Sequence, residues 1–327
     1  MKVYLGLLES SRPDQTKVFG AIDNKLVDLQ LAYAACLKQS KNSQAKAYEL
    51  AAFSFPGAIG AFLERSQTSS KALDDVVAFA RKNGVGDVRG PTGERVFYDA
   101  KEVRLLPPFL TPDKSFVIGF SDKARTEALP KADIPTAYYK LPQTFVPSGA
   151  PIMWPKFSEE IDADACLAIV IGKPGRRVPA ESGWDHVAGF TLVIDITARD
   201  INKREGVTTN NLLGKNFPSS TCIGPAALLQ SSRKEVEGME VELSVDGAVK
   251  QKFALRDCVF TVEQIIARWS ILGIKPGDWF AIGASMAMAG DRLQNPVPLR
   301  IGSTVRCAAA AIGELSHKVV AAGEIDR

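Results

Sequence analysis

The stretch that most constrains this chain runs from Asp162 to Gly172: Asp-Ala-Asp-Ala-Cys-Leu-Ala-Ile-Val-Ile-Gly. It reads as a strand, with the apolar run Cys166 to Ile171 as its body. Side chains alternate faces along a strand, so Asp162, Asp164 and Cys166 all point one way. A second segment, Ile194 to Asp200 (Ile-Asp-Ile-Thr-Ala-Arg-Asp), brings Asp195 to the same place if the two strands meet. Acidic and thiol groups gathered on one face of an apolar strand make either a cation site or an electrostatic liability. Asp164 and Asp195 sit beside apolar strand residues, where an unpaired charge is costly.

A chain of 327 residues is long for one core, so two domains are expected. Apolar residues at 46% and charged residues at 24% describe an ordinary globular composition. The net charge of +3 comes without a Lys/Arg cluster, which argues against nucleic acid and anionic membrane as partners. Met1 to Glu9 lacks the apolar centre of a signal peptide, and no apolar run approaches the ~18 residues of a membrane span. The five scattered cysteines read as free thiols in a reducing compartment, so a cytoplasmic location is expected.

Lys2 to Leu7 and Val18 to Ile22 read as strands, with Asp23-Asn24 turning into Leu26-Val27. Helical patterns follow over Leu29 to Lys41, Gly57 to Arg65 and Lys71 to Lys82, the last stopping at Asn83-Gly84, and Asn42 to Ala52 adds another turn or two. Residues 1–104 therefore make a small α+β domain, and Leu105-Leu106-Pro107-Pro108 leads into a second domain over 105–327. That domain is rich in short strand-like runs, among them Phe116 to Gly119, Ile152 to Trp154, Gly189 to Ile196, Met239 to Val245, Lys250 to Phe253, Trp279 to Ile282 and Ser303 to Ala308. Val262 to Leu272 is its clearest helix, with apolar residues at helical spacing. Strands and helices do not alternate strictly, which excludes a doubly wound parallel sheet.

The order of short motifs resembles the C-terminal catalytic domain of the fumarylacetoacetate hydrolase family. Members show Glu-x-Glu-Leu running into a strand that ends Ile-Gly-Lys, then an Asn-Asp-x-Ser-Ala-Arg-Asp-like segment, Lys-Ser-Phe-Asp, Gly-Pro, Pro-Gly-Asp and Thr-Gly-Thr-Pro. The counterparts here are Asp164-Ala165-Cys166-Leu167 with Ile171-Gly172-Lys173, then Asp195 to Asp200, Lys215-Asn216-Phe217, Gly224-Pro225, Pro276-Gly277-Asp278 and Ile282-Gly283-Ala284-Ser285. The resemblance implies an α+β protein whose larger domain is a β-rich roll, pairing as a homodimer.

It also implies a divalent cation, magnesium or manganese, held by Asp164, Cys166 and Asp195. Two of these depart from the family: Asp164 is one methylene shorter than the usual glutamate, and Cys166 is a thiol where a carboxylate is expected. Thiolate is a soft ligand, poorly matched to magnesium. The metal is therefore weakened, changed or absent, and Cys166 reads equally well as a small buried hydrophobe. Asp162 lies on the same face. Members also carry a lid His-x-x-Glu that activates water. Here Glu127 matches the glutamate, but Ala124 stands at the histidine, and the chain has only His186 and His317. Both histidines read as surface or capping residues. Water activation would fall to Glu127, Asp122 or the metal.

The remaining expectations concern cations and pocket walls. Lys215 matches the family lysine that polarises a carbonyl. Arg199 is a candidate clamp for a carboxylate or enolate, with a bridge to Asp200 or Glu205 as the plainer alternative. Lys140 matches a lysine of the family's Phe-x-Lys segment and would place a substrate anion or pair with an acid near the site; Tyr138 and Tyr139 would line the pocket or pack in its wall, and Ser285 is the retained hydroxyl of the final loop. The function expected first is a C–C bond hydrolase acting on a β-diketone or related oxo acid. An oxo-acid decarboxylase, hydratase or isomerase on the same fold, grouped here as lyase chemistry, is the alternative. A third reading is a non-catalytic binding protein, since Ala124, Cys166 and Pro218 replace three functional residues.

Overall fold

The chain opens as an antiparallel meander. β1 (Lys2–Leu8) pairs with β2 (Lys17–Ile22), which turns through Asp23 and Asn24, both at positive φ, into β3 (Lys25–Asp28). Asp28 then caps α1 (Leu29–Gln39), its carboxylate accepting from the Leu31 amide at 3.1 Å. Helices α2 (Gln44–Ser54), α3 (Ile59–Glu64) and α4 (Ser66–Asn83) follow, and α4 stops at Gly84 with φ +88°, as Asn83-Gly84 predicts. β4 (Phe97–Tyr98) and β5 (Val103–Leu106) return against β3 and β1. This computed structural model describes residues 1–9, 11–40, 43–119, 121, 133–206, 212–229, 231–284 and 298–323.

The second part supplies β6 (Ser115–Ile118), β7 (Ala137–Tyr139), β8 (Phe145–Val146), β9 (Ile152–Trp154), β10 (Ile161–Ile171), β11 (Val187–Ala198) and β12 (Thr221–Leu229). β13 (Glu240–Val245), β14 (Ala248–Ala254), β15 (Trp279–Ile282), β16 (Thr304–Ala309) and β17 (Gly313–Ala321) complete the strands among the described residues. One large sheet runs in the order β4-β3-β2-β1-β12-β11-β10-β15-β6-β7. A second, smaller sheet runs β14-β13-β16-β17-β9. Residues 1–104 are thus joined to the rest through β1, where Lys2 faces Leu228 and Val3 faces Ala227. The Met1 ammonium donates to the Leu229 carbonyl at 2.6 Å on the same seam.

The long antiparallel pair β10–β11 is the spine of this arrangement, in register from Ile161–Ala198 to Val170–Gly189, with an irregularity before the last pair, Ile171–Val187. Every residue of β10 is buried. Ala163, Ala165, Leu167, Ile169 and Ile171 face the second sheet, meeting Val241, Leu243, Val305 and Leu315. Cys166, Ala168 and Val170 face the other way, into a core shared with Leu29, Phe55, Ile59, Phe62 and Leu73 of the N-terminal helices. Each fully buried aliphatic side chain contributes roughly 1.5–3 kcal/mol, so both faces of β10 are committed. Asp162 and Asp164 continue the second face past the end of the helical cover.

Where β15 leaves β10, at Ile282 opposite Leu167, Gln251 of β14 takes over the strand edge. Its amide oxygen accepts from the Ala165 amide at 2.8 Å, and its amide nitrogen donates to the Ala165 and Gly283 carbonyls at 3.2 and 2.8 Å. Further along, Pro298 bridges Asp162, and the Leu299 amide donates to the Ile161 carbonyl at 3.0 Å. Ala284 and Pro298 therefore bracket the acidic part of β10. Ser121 fixes the first of these, its hydroxyl accepting from the Gly283 amide at 2.8 Å and its amide donating to the Ala284 carbonyl at 3.0 Å.

Candidate active site

The register of β10 on β11 decides which groups meet. Asp164 lies directly opposite Asp195, Asp162 opposite Thr197, and Cys166 opposite Val193. Opposed residues share a face, so the two carboxylates stand side by side, an arrangement that is destabilising unless cations relieve it. Asp164, Cys166 and Asp195 are all fully buried.

Two lysines relieve Asp195. Lys140 follows β7 by one residue, and strand alternation puts it on the same face as Tyr138. Its ammonium donates to Asp195 Oδ1 at 2.8 Å and to the backbone carbonyls of Lys215 and of Ser220, the latter at 3.2 Å. Lys215 lies in the turn after the helix Arg199–Gly206, where Glu205 accepts from the Leu213 and Gly214 amides at 2.7 and 2.8 Å. Its ammonium donates to Asp195 Oδ2 at 2.8 Å, Thr197 Oγ1 at 2.6 Å and the Tyr138 hydroxyl at 3.1 Å. The Tyr138 hydroxyl in turn donates to Asp195 Oδ2 at 2.5 Å. Asn216 binds the two lysine-bearing segments together: its side chain accepts from the Leu141 amide at 2.6 Å and donates to the Tyr139 carbonyl at 2.9 Å. The residue that departs from the family's serine thus has a definite task here.

The electrostatics follow from this geometry. Burial alone would raise the pKa of Asp195, but the ammonium groups of Lys140 and Lys215 overcome it and hold the carboxyl below its usual range. Burial lowers Lys140, and its bond to Asp195 works against that shift. Burial, then the Asp195 charge, pushes the Tyr138 phenol well up, so it stays protonated. Burial and the two carboxylates push Cys166 the same way, so it is a neutral thiol.

Arg199 does not bridge Asp200 or Glu205, the plainer of its two expected roles. Its Nε donates to Asp162 Oδ2 at 2.6 Å, and Nη2 lies 3.7 Å from Asp164 Oδ2. Asp200 instead accepts from the Ser158 hydroxyl at 2.5 Å and the Glu159 amide at 3.1 Å. Burial opposes the charge on Arg199, but Asp162 and Asp164 outweigh it and raise the pKa further. Both Nη groups are buried without a hydrogen-bond partner. A guanidinium hydrogen-bonded through Nε alone, its Nη2 ion-paired with Asp164 but neither Nη group hydrogen-bonded, keeps buried donors to offer a ligand.

The two histidines correct another expectation: both are buried, not on the surface. His186 ends the turn Ala180–His186 and its Nδ1 lies 2.9 Å from the Lys173 carbonyl, at the apolar end of β10. His317 points inward from β17, with Nδ1 2.7 Å from the Ala150 carbonyl. Tyr139 packs edge-on against Phe116, ring centroids 5.8 Å apart, and its neighbour Tyr138 reaches the carboxylates. Glu127, Asp122, Ala124 and Ser285 lie outside the described residues. Of the two tyrosines expected to line the pocket, Tyr138 is the one that reaches the carboxylates, on the same face as Lys140. Thr197 and Ser220 escaped sequence reasoning.

The expected divalent cation can be tested against these donors. Asp195 has its two oxygens engaged by two ammoniums and a phenol, Cys166 is a protonated thiol, and Asp162 and Asp164 face Arg199. Asp162 Oδ1 is buried without a hydrogen-bond partner, but it is one oxygen where magnesium demands about six in octahedral array. Among the described residues no three His, Cys, Asp or Glu side chains gather as a metal requires. The described residues do not fit the cation.

Comparison with known proteins agrees with the motif order. The profile of the fumarylacetoacetate (FAA) hydrolase C-terminal domain matches residues 118–320. A mitochondrial oxaloacetate tautomerase of Xenopus laevis is 32% identical over 223 residues, covering 67% of this chain and 69% of that protein. An oxaloacetate tautomerase of Bacillus subtilis is 32% identical over 230 residues, covering 68% and 75%. Among solved structures, maleylpyruvate hydrolase of a Sphingobium species, in complex with manganese(II) and pyruvate, superposes with a TM-score of 0.70 over 98% of this chain and 99% of that one, at 17% identity. The motif series, the acidic strand pair overlooked by Lys215 and these matches lead to one conclusion: the chain belongs to the fumarylacetoacetate hydrolase family.

Proposed function

We propose that this chain is an oxo-acid isomerase, interconverting keto and enol forms of a small oxo acid by proton transfer at the carbon next to the carbonyl. The observation that carries the reading is that both Nη groups of Arg199, held on Asp162 in a buried site, have no hydrogen-bond partner. A 2-oxo carboxylate presents coplanar oxygens that match such a fork. Removing a proton from the neighbouring carbon moves negative charge onto the carbonyl oxygen. Fixed cations in a dry site stabilise that enolate without reorganising. Lys215 and Lys140 supply the positive field beside Arg199, and Tyr138 is the hydroxyl that can pass a proton within the cluster. Glu127 remains the proposed base, on the strength of the sequence.

A C–C hydrolase needs, in addition, a group that activates water. Neither histidine supplies one, because each is turned to a backbone carbonyl elsewhere in the fold. The two tautomerases among the sequence relatives support the isomerase over the hydrolase. The test is to follow deuteration of oxaloacetate at its methylene carbon by NMR, alongside enol absorbance. Catalysed exchange without fragment formation is expected. Arg199→Gln should lower kcat/KM by about 10- to 100-fold, the worth of about 1.5–3 kcal/mol for a charged hydrogen bond. Stoichiometric release of oxalate and acetate, the products of hydrolytic C–C cleavage, would return the assignment to a hydrolase, and enzyme-dependent release of pyruvate and CO2 would return it to a decarboxylase.

A further inference from the structure

We propose that the ammonium groups of Lys140 and Lys215 take the place of the divalent cation on Asp195, so that this member of the family is complete without a metal. The inference rests on the isomerase reading only for its catalytic half. Its structural half rests on the donor set.

Three observations carry it. The carboxylate that the family resemblance assigns to the cation, Asp195, receives Lys140 on Oδ1 and Lys215 on Oδ2, each at 2.8 Å. Both ammoniums are fully buried and anchored a second time: Lys140 on the Lys215 and Ser220 carbonyls, Lys215 on Thr197 and Tyr138. They are thus built into the site and are not swinging surface groups. The second family ligand position holds Cys166, which offers no hard oxygen.

The third observation is charge. Among the described residues the cluster contains Asp162, Asp164 and Asp195 against Lys140, Lys215 and Arg199, three anions and three cations. Affinity for a divalent cation grows with the surplus of negative ligands around it. A balanced cluster has no such surplus, and a double positive charge added to it would be buried without compensation. At Asp195 alone two ammoniums face one carboxylate, and that local positive excess is what the chain itself offers an enolate.

Titrating Mn2+ into the full-length protein, with free Mn2+ read by electron paramagnetic resonance and thermal unfolding followed in parallel, decides the structural half. The proposal expects no saturable uptake and an unfolding midpoint that neither Mn2+ nor EDTA moves. Stoichiometric uptake that disappears in Asp195→Asn would overturn it. Lys140→Met exposes Asp195 Oδ1 and leaves the cluster negative, so this variant should take up Mn2+ where the parent does not. If Lys140→Met fails to fold, the titration of the parent still decides. The catalytic half is tested by the oxo-acid exchange assay: the rate should be unchanged by EDTA, and a loss restored by Mn2+ would overturn the proposal. If no oxo acid exchanges while Mn2+ uptake is also absent, the isomerase reading falls and the metal-free cluster stands.

Discussion

Replacing Asp195 by Asn leaves two buried ammonium groups facing an amide instead of a carboxylate. Removing one partner of a buried ion pair costs about 3–5 kcal/mol. Denaturant unfolding of Asp195→Asn should show a loss of that order, without a large change in the dependence on denaturant. A second expectation concerns His317. Burial lowers its pKa from the ordinary value of 6.5. The unfolded chain therefore binds a proton as the pH drops below about 6.5 while the folded chain resists it, so this residue's contribution is present above pH 6.5 and is lost on acidification. Comparing urea midpoints at pH 7.5 and 5.5 checks the sign: His317→Asn, which can still donate to Ala150, should lose less stability on acidification than the parent.

At the scale of elements, what the sequence shows is uneven, and the reasons are physical. The apolar body of β10 and the helix Val262–Trp269 are visible because their periodicity is strong. β10 begins at Ile161, one residue before the Asp162 start that the alternation suggests, and its acids Asp162 and Asp164 are offset by Arg199, a partner the alternation does not reveal. β12 went unrecognised because Gly224-Pro225 reads as a turn, yet the strand continues through it opposite an irregularity in β11. β17 escaped because an inward position carries His317 between Leu315 and Val319. The pairing of Lys140 with Asp195 joins residues 55 apart and could not be read from any local pattern. Gln251 is a similar case, a polar residue of one sheet completing the edge of the other. Gln251→Leu should leave the Ala165 amide and carbonyl buried without partners, at a cost of about 1–3 kcal/mol, measurable by chemical denaturation.

The whole molecule is held by one sheet that passes from the N-terminal meander into the catalytic half, with the helices of the first packed on the strands of the second. The two halves should therefore melt in one calorimetric transition whose van't Hoff and calorimetric enthalpies agree. Two resolved transitions would show that the β1–β12 seam is weaker than either half. No helix among the described residues is long and apolar enough to cross a membrane.

β10 is packed on both sides, with one set of alternate residues serving the second sheet and the other serving the helices and the acidic cluster. Losing a single residue between Ile161 and Ile171 would exchange those two sets from that point onward, and a loss at Ala163 would turn Asp164 into oil. A substitution in this segment disturbs one face at one position. Its length cannot drift, and descendants of this gene should vary in the letters of that segment long before they vary in their number.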